Sequence, residues 1–267
     1  MIDGHTRVFA ILGSPVSHSL SPAMQTAAFT AMGINAVYLP LPCDASNVAT
    51  LITTLTAAGG GGNVTVPHKG VAATSVDHPS ETVRLLGACN TFWGDEPGSL
   101  GDNTDVAGVL QALKQIGAPA GVWLVVGTGG SARAVVEAAK SAGASVAVKS
   151  RSVVKAARFR EWISSRGLTV ADPSDAEVAI NATPLGMLDS DPFPVERSEV
   201  PVMRYALDLV YRVQRTPWVR TLQQDGISAE DGRTMLVAQG AAAFELWFPG
   251  VDAPREVMRA VVEHALR

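Results

Sequence analysis

The chain has 267 residues and a formal net charge of −4, and 47% of its residues are hydrophobic. This length suits two domains, and the 21 Lys and Arg residues form no basic run, which disfavours a nucleic-acid or anionic-membrane partner. Two cysteines are too few for a disulfide framework or a clustered metal site, so we expect no metal. No segment reaches the ~18 apolar residues of a membrane span, and we expect a soluble, cytoplasmic protein.

Strand-like and helix-like segments alternate in the first part of the chain. Predicted strands lie at 7–13, 36–42 and 62–67, with predicted helices at 21–32 and 46–59 between them and a hairpin at 90–103. The alternation is typical of βαβ units and a parallel sheet.

A second alternating series follows a predicted helix at 106–117. It begins at the strand VWLVVG, 122–127, and continues through two helices, with LTV at 168–170 as a short strand, to AEVAINATP at 176–184. The tail is helical at 235–248 and 255–267. We therefore predict an α/β protein of two domains, residues 1–105 with a mainly parallel sheet and residues 106–235.

The turn after the strand at 122–127 carries the most informative local pattern. Gly127, Gly129 and Ala132 fit G-x-G-x-x-[G/A] directly after an apolar strand and at the start of a helix. In that context backbone N–H groups and the helix N-terminus hold a pyrophosphate. The pattern favours a dinucleotide site, and a tight βα turn without a ligand is the alternative.

The next predicted strand, SVAVK at 145–149, is followed by the residues that determine whether NAD or NADP binds. An acidic residue here would bind the ribose of NAD, but the chain has Ser150, Arg151 and Ser152, with Lys155 one helical turn beyond. A guanidinium and hydroxyls suit a 2′-phosphate, which favours NADP. The alternative is a solvated helix start.

Polar residues in the first domain are candidates for a substrate site. Ser21, before Pro22, is a good N-cap, and Ser19 and Ser21 together offer hydroxyls for a small carboxylate at the positive end of a helix. The pairs at 90–91 and 103–105 could equally be turn residues.

Lys69 follows the short strand NVTV and Pro67, where the chain must turn. On residue type alone it is either an exposed surface lysine or a proton-transfer group.

The motifs HSLSP, NVTVPHK, GACNT, GDNTD, GTGGSARA, NATPLGM, DLVY and MLVAQGAAAFELW occur along nearly the whole chain. In order and spacing they resemble the shikimate dehydrogenase family. The resemblance implies a substrate domain completed by the C-terminal helices at 236–267, and a Rossmann domain that binds NADP. It also implies the reversible reduction of 3-dehydroshikimate to shikimate, in the route to aromatic amino acids through chorismate.

The resemblance also implies roles for individual residues. It makes Lys69 the catalytic lysine and Asp105 its partner. The substrate carboxylate and ring hydroxyls would contact Ser19, Ser21, Thr65, Asn90, Asp105 and Gln239, with Tyr211 near the substrate. Cofactor contacts would be Gly127, Gly129, Gly130, Ala132, Ser150, Arg151, Ser152 and Lys155. Thr183 and Met187 would line the nicotinamide side, unless they form an ordinary turn at a strand end.

The chain departs from the usual family pattern at Gln25-Thr26, Val106, Ser150 and Arg212-Val213. These departures leave Lys69 and Asp105 in place but open alternatives within the family. A quinate/shikimate dehydrogenase or an aminoshikimate dehydrogenase would keep the same catalytic pair. A non-catalytic dinucleotide sensor would keep the glycine turn alone. We expect a monomer or a homodimer.

Overall fold

Each half of the chain is built around its own β-sheet in the computed structural model, which describes residues 2–95 and 98–267. Unit 1 comprises Met1–Thr104 and Leu236–Ala265, and unit 2 comprises Asp105–Met235 and Leu266–Arg267. The predicted α/β class is confirmed. The assignment of substrate to one unit and cofactor to the other stays a prediction. Within the described ranges, no helix has both the length and the apolar character needed to cross a membrane.

The strands of the two sheets are β1 (Arg7–Gly13), β2 (Ala36–Pro42), β3 (Gly61–Val64), β4 (His78–Pro79), β5 (Thr91–Asp95), β6 (Gly98–Asp102), β7 (Val122–Val126), β8 (Ser145–Lys149), β9 (Val178–Asn181), β10 (Tyr205–Asp208) and β11 (Ser228–Glu230). The helices are α1 (Ser21–Ala31), α2 (Val48–Ala57), α3 (Lys69–Ser75), α4 (Glu81–Leu86), α5 (Asp105–Gln115), α6 (Gly130–Ala142), α7 (Val153–Ser165), α8 (Pro217–Gln224), α9 (Arg233–Trp247) and α10 (Arg255–Ala265).

The sheet of unit 1 has the strand order β2-β1-β3-β5-β6-β4. β1 pairs in parallel with β2 and β3, because the chain crosses over through α1 and α2 between them. β5 pairs antiparallel with β3 and β6, so the predicted hairpin forms, and residues 96–97 between its two strands lie outside the described residues. The parallel pairing of β4 with β6 completes a sheet that is parallel in three of its five strand pairs.

The inner strand β1, which lies between β2 and β3, is buried on both faces, as its unbroken apolar run from Val8 to Leu12 predicts. On one face Ala10 and Leu12 belong to a core that also contains Ile52 of α2. On the other face the ring of Phe9 packs 4.9 Å from that of Trp247 at the end of α9. The C-terminal helix α9 therefore contributes to the core of unit 1.

The sheet of unit 2 is parallel throughout, with the strand order β11-β10-β9-β7-β8. The inner strand β7, which lies between β9 and β8, is apolar and buried, and alternate residues face opposite cores. Trp123 and Val125 lie in one core with residues of α6 and α7, whereas Leu124 and Val126 lie in the other with residues of α8. Helices on both faces of a parallel sheet define the doubly wound arrangement.

The structure differs from the predicted elements in two respects. The LTV segment at 168–170 contributes only an isolated bridge, between Val170 and Val146, because the extended stretch is too short to continue the ladder. The periodicity also did not predict the short strands β4, β10 and β11 or the one- to two-turn helices α3, α4 and α8. Runs of two to eight residues carry too little pattern to be assigned from sequence.

The glycine run at 60–62 permits a close approach between β1 and β3. Gly62 pairs with Ala10, and a Cβ at Gly62 would lie 2.0 Å from the Ala10 carbonyl oxygen. Since that oxygen belongs to a neighbouring backbone, relief would require the two central strands to separate.

We expect Gly62→Ala to destabilise unit 1 by about 4 kcal/mol or more, near the upper end of single-substitution effects. The measurement is the urea midpoint followed by tryptophan fluorescence. Gly70→Ala is the control, because its Cβ would meet only the Gly87 oxygen at 3.9 Å and alanine favours helix α3. Equal midpoints for the two variants would contradict the steric explanation.

Candidate active site

The N-cap of helix α1 lies one residue earlier than predicted, which changes the positions of Ser19 and Ser21 relative to the helix N-terminus. Leu20, already in a helical conformation, occupies the N-cap position, and Ser21 and Pro22 are the first helical residues. The predicted N-cap role of Ser21 is therefore wrong. Ser19 provides the acceptor instead, because its hydroxyl accepts a hydrogen bond from the Ser21 N–H at 3.3 Å. Both serines remain at the positive end of the helix, where an anion is favoured.

Thr65 lies where β1 and β3 end side by side. Its N–H donates to the Leu12 carbonyl at 2.8 Å, and the Ser14 N–H donates to the Val66 carbonyl at 3.2 Å. These bonds extend the β1–β3 ladder beyond the strands, so the Thr65 side chain is held at the carboxyl edge of the sheet.

Lys69 is the first residue of α3, directly after this edge, and is half-buried. Its carbonyl accepts a hydrogen bond from the Cys89 N–H at 2.8 Å. The preceding residue, His68, is buried and its ring Nε2 lies 2.8 Å from the Cys43 carbonyl oxygen. The backbone of Lys69 is thus fixed on both sides, whereas a lysine on a mobile surface turn would lack such contacts.

Asn90 holds the end of unit 1 through a buried pair of contacts. The Thr104 N–H donates to the Asn90 Oδ1 at 2.8 Å, and the Asn90 Nδ2 donates to the Thr104 hydroxyl at 3.1 Å. Asp105 follows immediately, opens α5 and is only 3% exposed. The polar clusters 90–91 and 103–105 are therefore not separate turns, because Asn90 and Thr104 join them by hydrogen bonds. These bonds fix the chain just before the predicted catalytic aspartate.

Gln239 lies on α9 within unit 1, half-buried, with its Nε2 donating to the Leu236 carbonyl at 2.9 Å. The next residue, Gly240, accepts a hydrogen bond from the buried Gln25 Nε2, also at 2.9 Å. Gln25 is one of the departures from the usual family pattern, and it links α1 to α9 beside Gln239.

Gly127 ends β7 in a conformation that only glycine adopts readily. Its φ is +119°, and a Cβ there would lie 2.9 Å from the Ala182 oxygen and 3.2 Å from the Thr183 methyl group. The turn after β7 therefore packs directly against the chain that leaves β9, and the positive φ of Gly127 suits the tight turn for which the fingerprint requires its first glycine.

The next two glycines leave the start of α6 open. Gly129 is the N-cap, Gly130 is the first helical residue, and a Cβ at Gly129 would meet nothing within 4 Å. Ala132 is fully buried against the sheet. The arrangement supplies free helix N–H groups and space for a phosphate, as the fingerprint predicts.

The residues after β8 form a positive helix start. The Ser152 hydroxyl caps α7 by accepting from the Lys155 N–H, and the Ser150 hydroxyl accepts from the Ser152 N–H, each at 3.3 Å. Arg151 and Lys155 are exposed, and within residues 2–95 and 98–267 neither forms a salt bridge. Two cations in this setting can bind a phosphate group.

The segment 181–187, which follows β9, is organised by Asn181. The Asn181 Oδ1 accepts from the Thr183 N–H at 3.0 Å and from its hydroxyl at 2.6 Å. The Asn181 Nδ2 donates to the Leu185 carbonyl at 2.8 Å and to the Asp208 carboxylate at 2.8 Å. Thr183 is consequently fixed, whereas Met187 is exposed at 45%.

Tyr211 follows β10 and is half-buried. The neighbouring carbonyl of Arg212 accepts a hydrogen bond from the Arg233 guanidinium at 3.0 Å, and the Arg212 side chain forms an ion pair with Asp189 at 2.9 Å. Arg212, one of the departures from the family pattern, therefore connects the loops after β9 and β10.

Two buried carboxyl groups in unit 2 were missed in reasoning from the sequence. Burial raises the pKa of Asp208 to about 7, although its hydrogen bonds from Val210, Thr216 and Asn181 oppose the shift and nearby Asp231 adds to it. Burial likewise raises the pKa of Asp231 to about 6, with the Arg233 charge acting in the opposite direction. The only available signal for Asp208 was its position in the motif DLVY, directly at the end of an apolar strand.

Taken together, the glycine turn, the open start of α6 and the cations after β8 are features typical of the dinucleotide-binding units of dehydrogenases. Residues 11–92 match the "Shikimate dehydrogenase substrate binding domain", and residues 232–263 match the "Shikimate 5'-dehydrogenase C-terminal domain". A shikimate dehydrogenase (NADP⁺) from Microcystis aeruginosa is 37% identical, over 97% of each chain.

Solved structures are similar over nearly the full length as well. A shikimate dehydrogenase in complex with NADP⁺ has a TM-score of 0.90 at 28% identity, covering 100% of this chain and 98% of its own. The Thermus thermophilus enzyme in complex with NADP(H) and shikimate has a TM-score of 0.87 at 33% identity, covering 98% and 100%. This chain belongs to the shikimate dehydrogenase family.

The two raised pKa values predict how stability depends on pH. Because both carboxyl groups bind a proton more tightly in the folded protein than in an unfolded chain, where the pKa is about 3.9, their contribution to the free energy of unfolding falls as pH rises from about 4 to 7. Asp208→Asn removes the ionisable group at one of the two sites. We expect its melting temperature, relative to the wild type, to increase from pH 5 to pH 8.

The measurement is differential scanning calorimetry of both proteins at several pH values. Asp225→Asn, at the end of α8 on the surface, is the control and should show no such trend. A constant difference between Asp208→Asn and the wild type across the range would contradict the prediction.

Proposed function

We propose that the chain is an NADP-dependent shikimate dehydrogenase, which reversibly reduces 3-dehydroshikimate to shikimate. The observation that carries the proposal is the full-length similarity to shikimate dehydrogenases (NADP⁺), 37% identity over 97% of this chain for one of them. The comparisons support this activity over the quinate, aminoshikimate and sensor alternatives. A sensor would also have no need for a proton-transfer pair.

The residues of unit 2 fit NADP. The open helix start at Gly129 suits the pyrophosphate, and the exposed cations of Arg151 and Lys155 suit a 2′-phosphate. Ser150 and Ser152 use their hydroxyls as local acceptors, so their hydroxyl protons remain to be donated. In this proposal Thr183 and Met187 lie beside the nicotinamide.

When bound, the reduced nicotinamide supplies the hydride that the ring ketone carbon receives. Negative charge then builds on the carbonyl oxygen, and we assign the Lys69 ammonium to stabilise it and to donate the proton that completes the hydroxyl group. In the reverse direction neutral Lys69 accepts the hydroxyl proton. Asp105 orients Lys69 and shares the proton transfer.

The remaining predicted contacts hold the substrate. Ser19 and Ser21, at the positive end of α1, would bind its carboxylate. Thr65, Asn90 and Gln239 would bind its ring hydroxyls, and Tyr211 would lie nearby. A monomeric or homodimeric state and a cytoplasmic location complete the proposal.

The activity is tested by following nicotinamide absorbance with purified protein, using shikimate or quinate with NADP⁺ or NAD⁺. We expect the highest kcat/KM with shikimate and NADP⁺. A higher value with quinate would favour the alternative dehydrogenase, and no turnover with any of the four combinations would contradict the proposal.

Two substitutions separate the proton-transfer and cofactor roles. Lys69→Ala should lower kcat about 10²–10⁴-fold with the Kd for NADP⁺ unchanged, since a positioned acid–base group contributes about that much. Arg151→Ala should raise the KM for NADP⁺ about 10–100-fold, the value of a charge-assisted hydrogen bond, with little change in kcat.

The matched controls are Lys114→Ala and Arg158→Ala, which remove exposed cations outside the predicted site. Both should retain the wild-type constants. If Lys69→Ala and Arg151→Ala instead lost NADP⁺ affinity equally, the assignment of the two roles would be wrong.

A further inference from the structure

The carboxylate of Asp208 is fully buried where β10 ends. Its Oδ1 accepts from the Asn181 Nδ2 at 2.8 Å and from the Val210 N–H at 3.0 Å. Its Oδ2 accepts from the Thr216 hydroxyl at 2.8 Å. An ionisable group without exposure is costly to keep in a protein interior, so its contacts need an explanation beyond packing.

The Asn181 side chain connects this carboxylate to the segment 181–187. Its amide is fully used, with two donated bonds, to Asp208 and Leu185, and two accepted bonds, both from Thr183. An amide has two chemically different ends, whereas the Asp208 Oδ1, which also faces the Val210 N–H, accepts hydrogen bonds even when a proton is bound at Oδ2. Asp208 therefore selects the orientation in which the NH₂ group faces β10 and the oxygen faces Thr183.

The segment also packs directly over the carboxylate. A Cβ at Gly186, where φ is +100°, would lie 3.5 Å from the Asp208 Oδ2 and 3.5 Å from the Thr216 Cβ. The reversed amide would present an oxygen to the carboxylate and an NH₂ group to the Thr183 N–H. Both contacts would be repulsive, so the turn from Asn181 to Leu185 would lose its hydrogen bonds.

We propose that Asp208 is a positioning residue for hydride transfer, which sets the conformation of the segment 181–187 by orienting the Asn181 amide. The inference rests on the proposed function, in which this segment lies beside the nicotinamide. Asp208 itself touches neither substrate nor cofactor. Its effect is therefore confined to the nicotinamide end of NADP and should not reach the phosphate end at Arg151.

The test compares Asp208→Ala with Asp208→Asn. In the asparagine variant the Oδ1 can still accept from Asn181 and Val210, while the new NH₂ group donates to the Thr216 hydroxyl, so the orientation of Asn181 is kept. Asp208→Ala leaves those donors without an acceptor. We expect kcat to fall about 10–100-fold in the alanine variant, as for a small misplacement of reacting groups, and to stay within about threefold of wild type in the asparagine variant.

The ratio of two dissociation constants, for NADP⁺ and for a ligand without the nicotinamide, would not change if Asp208 had a purely structural role. Calorimetry gives the Kd for NADP⁺ and for adenosine 2′,5′-bisphosphate, which lacks the nicotinamide half. In Asp208→Ala we expect the Kd for NADP⁺ to rise about 3–10-fold while that for the bisphosphate stays within about twofold. Equal losses for both ligands, or no loss of kcat, would overturn the proposal.

Two further variants complete the design. Asn181→Leu removes the amide while keeping a side chain of the same branching, and it should reproduce the selective loss even if Asp208→Ala does not fold. Asp189→Asn removes the ion pair that holds the same loop from outside, and since Asp189 is 78% exposed we expect less than a twofold effect. Failure of the wild type to bind NADP⁺ would overturn the proposed function and this inference together, whereas normal binding with unselective losses would overturn the inference alone.

Discussion

Parallel strand pairing is the constraint on which the candidate site residues of each unit depend for their positions. Neighbouring parallel strands end at the same edge of a sheet, and open α/β sheets bind ligands outside that edge. In unit 1 the residues after β3 meet those after β1, because the Thr65 N–H continues the ladder to Leu12. In unit 2 the chain leaves β7, β8, β9 and β10 at the glycine turn, Arg151, segment 181–187 and Tyr211. Within each unit, strand pairing thereby brings together residues that are far apart in sequence, and no specific contact between each pair of residues is needed.

The loops at these edges are held by buried polar groups more than by apolar packing. Asn90 fixes Thr104 in unit 1, and Asn181 fixes Thr183 and Leu185 in unit 2. An asparagine amide suits this purpose because it donates and accepts in one plane, so it can replace the ladder that a chain loses when it leaves a strand. Apolar residues there would bury the loop but would leave its backbone groups without partners.

How much could be predicted from the sequence depends on the range of each interaction. The glycine turn and the cations after β8 are local features, and the strand, turn and helix that surround them follow from periodicity. The Asp208–Asn181 contact joins residues 27 apart, and no local pattern announces it. The N-cap at α1 was misassigned because two residues divide its roles. Leu20 occupies the N-cap position, whereas the Ser19 hydroxyl accepts the hydrogen bond from the helix N-terminus. The roles of Lys69 and Asp105 came from the family resemblance, since neither residue type nor spacing specifies proton transfer.

The buried carboxylate of Asp208 illustrates why a fold retains a group that burial disfavours. Desolvation raises its pKa to about 7, so near neutral pH the interior holds it at some expense of stability. A leucine, which has the same branching, would avoid that expense, but it would leave the Asn181 amide free to adopt either orientation, and only one of them matches Thr183. Among uncharged residues asparagine comes nearest, yet its own amide could also flip and present a donor to Asn181. The ionised carboxylate accepts on both oxygens and has no wrong orientation, and that property is what an acidic residue adds at the base of a loop that must keep one conformation.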